Sequence, residues 1–217
     1  LSYAKLSIEE TRQVAPLSDE TSRILALATR SSPLDRFVDD ARLATFTSRM
    51  STLRSAFPSA DIPLVNETWV RAIVERHCVD RRSFRELSEI DFLHEFEAQL
   101  SPKQQHLLRT EMPDRLTLPG GRSVKINYDA TKPHYIESRL QDFFGMLSGP
   151  TIGKLPLVLN LLAPNMRAVQ VTSDLEGFWD RHYPAIRKEL MRQYPRHAWP
   201  ENPKTAQPPA PRPPRPK

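Results

Sequence analysis

The chain has 217 residues, of which 39% are hydrophobic and 26% charged, with a formal net charge of +5. These values are typical of a globular protein with one or two domains and a core that folds without covalent cross-links. The single cysteine, Cys78, excludes an intramolecular disulfide framework and favours a reducing, cytoplasmic location. The longest apolar run, residues 155–164, is about half as long as a bilayer span, so we expect no membrane partner.

The charge is distributed unevenly along the chain. Residues 1–114 carry 15 Lys and Arg against 18 Asp and Glu, residues 115–200 carry 12 against 7, and residues 201–217 carry 4 against 1. The net charges are therefore −3, +5 and +3. An anionic partner is expected to bind the C-terminal half, whose basic residues are mostly arginines suited to bidentate phosphate contact. A solvated surface explains the same excess, so both interpretations stay open.

The N-terminal half shows mainly the helical period. Residues 1–17 alternate Ala4, Leu6 and Ile8 with polar neighbours, and we interpret them as a strand left from a truncated preceding domain. In residues 18–114, capping residues and early prolines predict helix starts at Ser18, Ser32-Pro33, Asn66 and Ser101-Pro102. A helical pattern also runs through residues 87–100. A buried helical stripe is predicted from the apolar residues Leu43, Phe46, Met50, Leu53 and Phe57.

At Arg115 the apolar period changes from about 3.6 to 2. Gly120-Gly121 separates two alternating segments, which predicts a hairpin with positive φ in its turn. The apolar side of this hairpin is formed by Leu116, Leu118, Val124, Ile126 and Tyr128, and Ser123, Lys125 and Asn127 are expected to point the opposite way.

Further strands and helices are predicted in the same segment. A second strand pair is expected at residues 155–162 and 168–172, and residues 136–146 are expected to begin extended and become helical. A capped helix carries Phe178 and Trp179, and Pro184 opens a last helix.

The predicted fold class is α+β. A helical bundle at residues 18–114 is followed by a small, mostly antiparallel sheet with packed helices at residues 115–200. Residues 201–217 contain seven of the 21 prolines and are predicted to be a disordered, basic, proline-rich tail.

No pattern predicts a catalytic or metal site. Residues 149–155 resemble a phosphate-binding loop, but three residues separate the glycines where four are needed, and Leu155 replaces the hydroxyl residue that binds magnesium. No two of the six histidines have the spacing that places both on one helical metal site. His77 and Cys78 are sequence neighbours and point apart on a helix. We therefore expect no catalytic residue, metal or cofactor in this chain.

Five segments of the sequence together resemble those of a known protein family. They are LTLPGGRSVKINY at 116–128, SRLQDFFG at 138–145, LLAPNMRAVQVTSDLEGFW at 161–179, YPAIRKEL at 183–190 and RQYPRHAWPENP at 192–203. Residues 69–203 resemble the C-terminal domain of the HrpB family, bacterial ATP-dependent helicases of the DEAH/DExH type. The resemblance implies that ATP and Mg²⁺ bind two RecA-like domains absent from this chain. The chain would then be a non-enzymatic accessory region of a nucleic-acid-dependent ATPase, with the helicase core as its partner in cis.

Two functions are compatible with such a region. A guide for single-stranded nucleic acid, RNA rather than DNA, would use basic side chains on phosphates, with Tyr128 and Tyr135 as candidates for base stacking. Its candidates are Arg122, Lys125, Arg139, Lys154, Arg167, Arg187, Lys188 and Arg192. A purely structural or protein-interaction domain would instead use the aromatic residues Phe178, Trp179, Tyr194 and Trp199.

Overall fold

The computed structural model describes residues 2–3, 6–7 and 14–210. The chain divides into two compact units. The helical unit comprises residues 1–43 and 65–99, and the α+β unit comprises residues 44–64 and 100–217. Within the described residues, no helix combines the length and apolar character that a bilayer span requires.

Short, capped helices build the helical unit. Its elements are β1 (Ser2–Tyr3), β2 (Leu6–Ser7), α1 (Asp19–Ser31), the start of α2 (Asp40–Ala56), α3 (Glu67–Arg76), α4 (Phe84–Ser88) and α5 (Phe92–Ala98). The predicted caps of α1 and α3 are confirmed, because Ser18 accepts from the Thr21 backbone and Asn66 accepts from the Trp69 backbone. The buried core includes Leu25, Val70, Ile73, Val74, Leu87, Phe92 and Phe96.

Three segments of this unit differ from the sequence prediction. β1 and β2 pair antiparallel where one strand was expected, and Ala4 and Ile8 lie outside the described residues. Ser32-Pro33 begins only a 3-10 turn, Leu34–Arg36, and α2 starts at Asp40, where Asp39 accepts from the Arg42 backbone. The pattern over residues 87–100 is divided between α4 and α5 by a tight turn, in which the Phe92 backbone donates to the Ile90 carbonyl.

The α+β unit contains a mixed, mostly antiparallel sheet, which confirms the predicted fold class. Its elements are the rest of α2, a 3-10 turn at Pro58–Ala60, α6 (Pro102–Glu111), β3 (Arg115–Thr117), β4 (Ser123–Asn127), β5 (Tyr135–Arg139), a 3-10 turn at Leu140–Phe143, β6 (Thr151–Ile152), β7 (Leu155–Pro156), β8 (Val158–Leu162), β9 (Ala168–Thr172), α7 (Leu175–Arg181) and α8 (Tyr183–Gln193). The sheet order is β3-β4-β5-β8-β9, and only β5 and β8 are parallel.

Local sequence signals correctly predicted the start of a helix and the position of a hairpin turn in this unit. Ser101 and Gln104 form the expected capping box at the start of α6. Gly121 has a φ of 81°, the positive value that the β3–β4 hairpin turn requires. The strand predicted from residue 155 begins at Val158, because Leu155–Pro156 pairs with Thr151–Ile152 in a separate two-stranded sheet.

Hydrogen bonds between distant residues explain why residues 44–64 belong with the sheet. Ser48 Oγ donates to the Asp129 carbonyl at 3.1 Å, and Arg49 Nε donates to the Met112 carbonyl at 2.9 Å. Arg49 also pairs with Asp114 at 2.7 Å. The compact units therefore divide after residue 99 rather than at the change of apolar period at Arg115.

The core of the α+β unit lies on one side of the sheet. Val124, Ile126, Ile136, Leu159 and Leu161 are buried there. An aromatic cluster adds to this core, with ring centroids of Trp179 and Tyr183 5.3 Å apart and those of Phe144 and Trp179 6.1 Å apart. Such contacts add stability beyond the apolar area they bury.

Residues 194–204, which we call the C-terminal strap, are hydrogen-bonded to this core. Gln141 donates to the Ala198 carbonyl at 2.8 Å, Tyr183 Oη to the Pro200 carbonyl at 2.8 Å, and the Gly145 backbone to the Pro203 carbonyl at 2.9 Å. Lys204 pairs with Asp180 at 2.8 Å. The segment predicted to be disordered from residue 201 therefore begins as an anchored strap, while residues 211–217 lie outside the described residues.

Candidate nucleic-acid interface

Arg122 is held by a buried carboxylate beneath the hairpin. Its Nε lies 2.9 Å from Asp142 Oδ2, and the Asp142 side chain is only 1% exposed. The same oxygen accepts from Ser138 Oγ at 2.6 Å and from the Arg139 backbone at 3.2 Å. Because Arg122 neutralises this carboxylate, the structure assigns it to holding the hairpin, and it is a poor phosphate contact.

Arg187 is similarly committed to the C-terminal strap. Its Nε donates to the Trp199 carbonyl at 2.8 Å, and its Nη2 lies 3.8 Å from Glu201 Oε1. Two of the eight basic candidates therefore have structural partners within the protein.

The other six basic candidates form no ion pair with any described residue. Lys154 lies in the β6–β7 turn with a φ of 77°, and Arg167 lies in the β8–β9 turn. Lys188 and Arg192 are exposed on α8, one turn apart. Lys125 is exposed on β4, and Arg139 is half-buried at the end of β5. The candidates are thus distributed over several elements of the α+β unit, and only Lys125 and Arg139 lie on a shared sheet surface.

That surface is the side of the sheet opposite the core, which we call the outer face. Strand alternation turns Val124 and Ile126 inward and therefore Lys125 and Asn127 outward. The register then aligns neighbouring strands across the surface. The polar and aromatic side chains of the outer face include Arg115, Lys125, Asn127, Tyr135, Glu137, Arg139 and Asn160, all exposed or half-buried. Val158, opposite Tyr135, and Val171, opposite Asn160, lie on the same face.

Hydrogen bonds tie parts of the outer face together. Asn160 Nδ2 donates to Glu137 Oε1 at 2.9 Å, and Asn127 Nδ2 donates to the Tyr135 carbonyl at 3.5 Å. Arg115 donates to Ser123 Oγ and to the Ser123 carbonyl, both at 2.9 Å. Sequence reasoning identified Lys125, Arg139 and Tyr135 individually but missed Arg115 and Asn160, because pairing across distant strands has no local signal.

The aromatic candidates are mainly structural. Phe178 and Trp179 are buried, and Trp179 Nε1 donates to the Met146 carbonyl at 2.9 Å. Trp199 is buried, and its Nε1 donates to the Tyr194 carbonyl at 3.0 Å. Tyr194 alone of these four is half-buried, against the edge of His197. The set therefore offers little surface to a partner.

Tyr128 is unsuited to base stacking. It is buried, its Oη donates to the Pro113 carbonyl at 2.8 Å, and the Arg49 guanidinium lies 5.8 Å from its ring centroid. Burial raises the pKa of Tyr128 well above its ordinary value. Of the two stacking candidates, only Tyr135 remains.

The described residues include only weak candidates for covalent chemistry or metal binding. In the part of the chain that the structure describes, no three His, Cys, Asp or Glu residues converge on a possible metal position. Cys78 is buried, and its Sγ lies 3.6 Å from the Val74 carbonyl. Burial raises the pKa of the Cys78 thiol, which disfavours the reactive thiolate.

Comparisons with known proteins agree in sequence and structure. A family model described as ATP-dependent helicase C-terminal matches residues 69–203. The ATP-dependent RNA helicase HrpB of Escherichia coli (strain K12) is 29% identical over 214 residues, which are 96% of this chain and 26% of that protein. A crystal structure of the E. coli DExH-box NTPase HrpB matches with a TM-score of 0.83 and 30% identity over 90% of this chain and 25% of that one. A second, of the E. coli DEAH/RHA helicase HrpB, matches with a TM-score of 0.71 and 28% identity over the same shares. The chain spans about a quarter of the length of these relatives.

Proposed function

Because the chain belongs to the ATP-dependent helicase C-terminal family, as its sequence strings predicted, we propose that it serves such a helicase as an accessory region that binds single-stranded nucleic acid. The α+β unit makes the contact. RNA is the favoured strand, since the E. coli relative is named an RNA helicase. The helicase core would be the partner in cis.

One observation carries this proposal: the α+β unit holds cations that the protein itself does not neutralise. The sequence of this unit contains 20 Lys and Arg against 11 Asp and Glu, whereas the helical unit contains 11 against 15. The candidates without an ion pair to described residues are Lys125, Arg139, Lys154, Arg167, Lys188 and Arg192. Unpaired surface cations attract a polyanion and bind it by releasing its counterions.

ATP and Mg²⁺ do not fit the residues present, so we assign their binding to the helicase core. Gly153 and Lys154 form the turn between β6 and β7, and no helix N-terminus follows them to receive a phosphate. A Cβ atom on Gly153 would collide with Met112, so the backbone is packed against the protein here. We expect the purified chain to show no nucleotide hydrolysis.

A structural role is a second candidate, supported by the burial of the aromatic residues. Phe178, Trp179 and Trp199 are buried and stabilise the α+β unit itself, so these side chains are not available to a protein partner. For these aromatic residues, the burial favours the role of an internal scaffold, which supports the basic surface, and disfavours the role of a protein-binding patch.

Binding of a fluorescent single-stranded RNA, measured by anisotropy at several salt concentrations, tests the proposal. The affinity should fall as the salt concentration rises. In a plot of the logarithm of the binding constant against the logarithm of the salt concentration, each neutralised phosphate should contribute about −0.7 to the slope. The double variant K188E/R192E should weaken binding to every sequence tested and reduce the slope. R82E/R85E is the matched control, since both arginines pair with glutamates in the helical unit. Undetectable binding at low salt, or equal loss in the control, would contradict the proposal.

A further inference from the structure

We propose that the outer face of the five-stranded sheet is the surface on which a single strand stacks a base, with Tyr135 as the stacking residue and Lys125 and Arg139 as phosphate contacts. This inference rests on the proposed function and assigns its main contact surface. Four observations carry it.

The first observation is that Tyr135 has no internal role for its side chain. Among the tyrosines whose side chains are described, Tyr128 and Tyr183 are buried and donate to main-chain carbonyls, and Tyr194 packs against His197. Tyr135 is half-buried, and neither its ring nor its hydroxyl has a described partner. An outward tyrosine on a strand presents a flat surface that any base can cover.

The second observation is a repulsive charge arrangement beside this ring. Arg115 and Lys125 lie directly opposite each other on β3 and β4, and neither forms an ion pair with a described residue. Like charges at opposed strand positions destabilise a sheet. A phosphate placed between them would remove this repulsion. Glu137, the carboxylate of the outer face, accepts from the Asn160 amide and forms no ion pair with Arg115 or Lys125.

The third observation is the position of two carboxamides. Asn127 lies opposite Tyr135 in the β4–β5 register, and Asn160 lies opposite Glu137 in the β5–β8 register. Each uses one amide hydrogen in the bonds described above, and an amide has two donor hydrogens and an acceptor oxygen. The remaining groups can bind the edge of a base stacked on Tyr135.

The fourth observation excludes the common way in which a sheet binds a peptide. β5 is central, with β4 on one side and β8 on the other, so its main chain is already paired. A peptide strand therefore cannot add beside Tyr135, and a ligand there has to lie across the face. Aromatic, cationic and amide side chains on central strands fit a single-stranded nucleic acid.

The test uses the whole chain and single-stranded RNA containing a halogenated uridine that crosslinks to aromatic side chains. The crosslink should map to Tyr135 by mass spectrometry. Tyr135→Ala should weaken binding about tenfold, as loss of one base–aromatic stack does, and Tyr135→Phe should bind as the parent chain does. Tyr194→Ala is the matched control, because it removes another half-buried tyrosine of the same unit.

Lys125→Glu is a second, independent variant. Its side chain is exposed and lies opposite Arg115, so the substitution replaces a like-charge pair with an opposite-charge pair, and the thermal midpoint should not fall. The salt slope should fall by about 0.7 for the lost phosphate contact. Parent-level binding by both Tyr135→Ala and Lys125→Glu, or a crosslink that maps elsewhere, would overturn this inference and leave the proposed function standing. Equal competition by polyglutamate would overturn it as well, since an acidic peptide would then be an equivalent ligand. Failure of the parent chain to bind RNA would overturn both.

Discussion

The two compact units differ in how their basic side chains are paired. In the helical unit, several surface arginines pair with nearby glutamates: Arg71 with Glu67, Arg82 with Glu86, and Arg30 with Glu75 through two hydrogen bonds of 2.9 Å. In the α+β unit, Lys125, Arg139, Arg167, Lys188 and Arg192 have no such partners among the described residues. The unpaired cations of the α+β unit add to its excess of basic residues, whereas the helical unit carries more acidic than basic residues.

Within the α+β unit, three of the paired arginines hold the fold, whereas Arg181 forms an exposed pair with Asp174. Arg49 binds the Met112 carbonyl and Asp114, Arg122 neutralises Asp142, and Arg187 binds the Trp199 carbonyl. A count of basic residues would treat all of them as binding residues. The pattern of pairing separates structural cations from free ones, and the following variants test that separation.

The largest effect is expected for Trp179→Ala. Trp179 is 3% exposed and packs against Phe144, Phe178 and Tyr183. Removal of a large buried aromatic residue should lower the free energy of unfolding by about 3–5 kcal/mol. Urea unfolding followed by circular dichroism measures it. A loss below about 1 kcal/mol, as for a surface residue, would mean that the aromatic cluster does not support the unit.

Arg122→Ala should have the next largest effect. It leaves the buried Asp142 carboxylate without its counter-charge, and we expect a loss of about 2 kcal/mol, below the roughly 3–5 kcal/mol of fully buried pairs because Arg122 is partly exposed. Lys125→Ala, three residues along the same hairpin, is the control and should not lower stability, because it removes the repulsion between Lys125 and Arg115. Equal stability of the two variants would show that Arg122 is a free cation after all.

A pH dependence is expected from His134. Its Nδ1 accepts from the Asp129 backbone at 3.3 Å, so its Nε2 carries the hydrogen and lies 2.7 Å from Thr52 Oγ1. Burial lowers the pKa of His134 below the ordinary value of 6.5. Near and below pH 6.5, the unfolded chain binds a proton that the folded chain excludes. The free energy of unfolding should therefore decrease as the pH falls below about 6.5, and the contribution of neutral His134 should be complete above that pH.

The slope should not exceed about 1.4 kcal/mol per pH unit, the limit for one proton. His134→Gln should remove this component in urea titrations at a series of pH values. An unchanged pH profile in the variant would assign the dependence to another group.

The smallest effect is expected for Arg85→Ala in the helical unit. Arg85 is 90% exposed and lies 3.8 Å from Glu89. An exposed pair of this kind should contribute less than about 0.5 kcal/mol. Neither stability nor RNA affinity should change measurably. A clear loss of RNA binding would contradict the contrast between the two units.

Local chemistry made much of the fold predictable. The Ser101–Gln104 capping box and the Gly120-Gly121 turn involve residues within one turn of each other, so their signals are complete in the sequence. Period-2 alternation likewise predicted which side of β4 is buried. The motif strings predicted the family, which the family model confirms.

Contacts between distant residues were not predictable in the same way. The partner of Arg122 is Asp142, twenty positions away, and nothing near Arg122 indicates a buried carboxylate. The parallel pairing of β5 with β8 joins strands separated by a 3-10 turn and a small hairpin. The outer face depends on that pairing, so its membership had to come from the structure. Residues 201–204 were predicted disordered from composition, but specific contacts to Gly145 and Asp180 anchor them.

The α+β unit is built from two separate segments of the chain, and this has a consequence for the order of folding. Its segment 44–64 must meet residues more than 80 positions later, as in the bond from Thr52 to His134. Closing so long a loop is slow, because chain entropy is lost before the contact forms. Residues 65–99 belong to the other unit, and their early compaction would shorten the loop. In a pulse-labelled hydrogen-exchange experiment, we expect amides of Glu67–Arg76 to gain protection before those of Tyr135–Arg139. The helical unit would then act as an internal folding aid for the sheet.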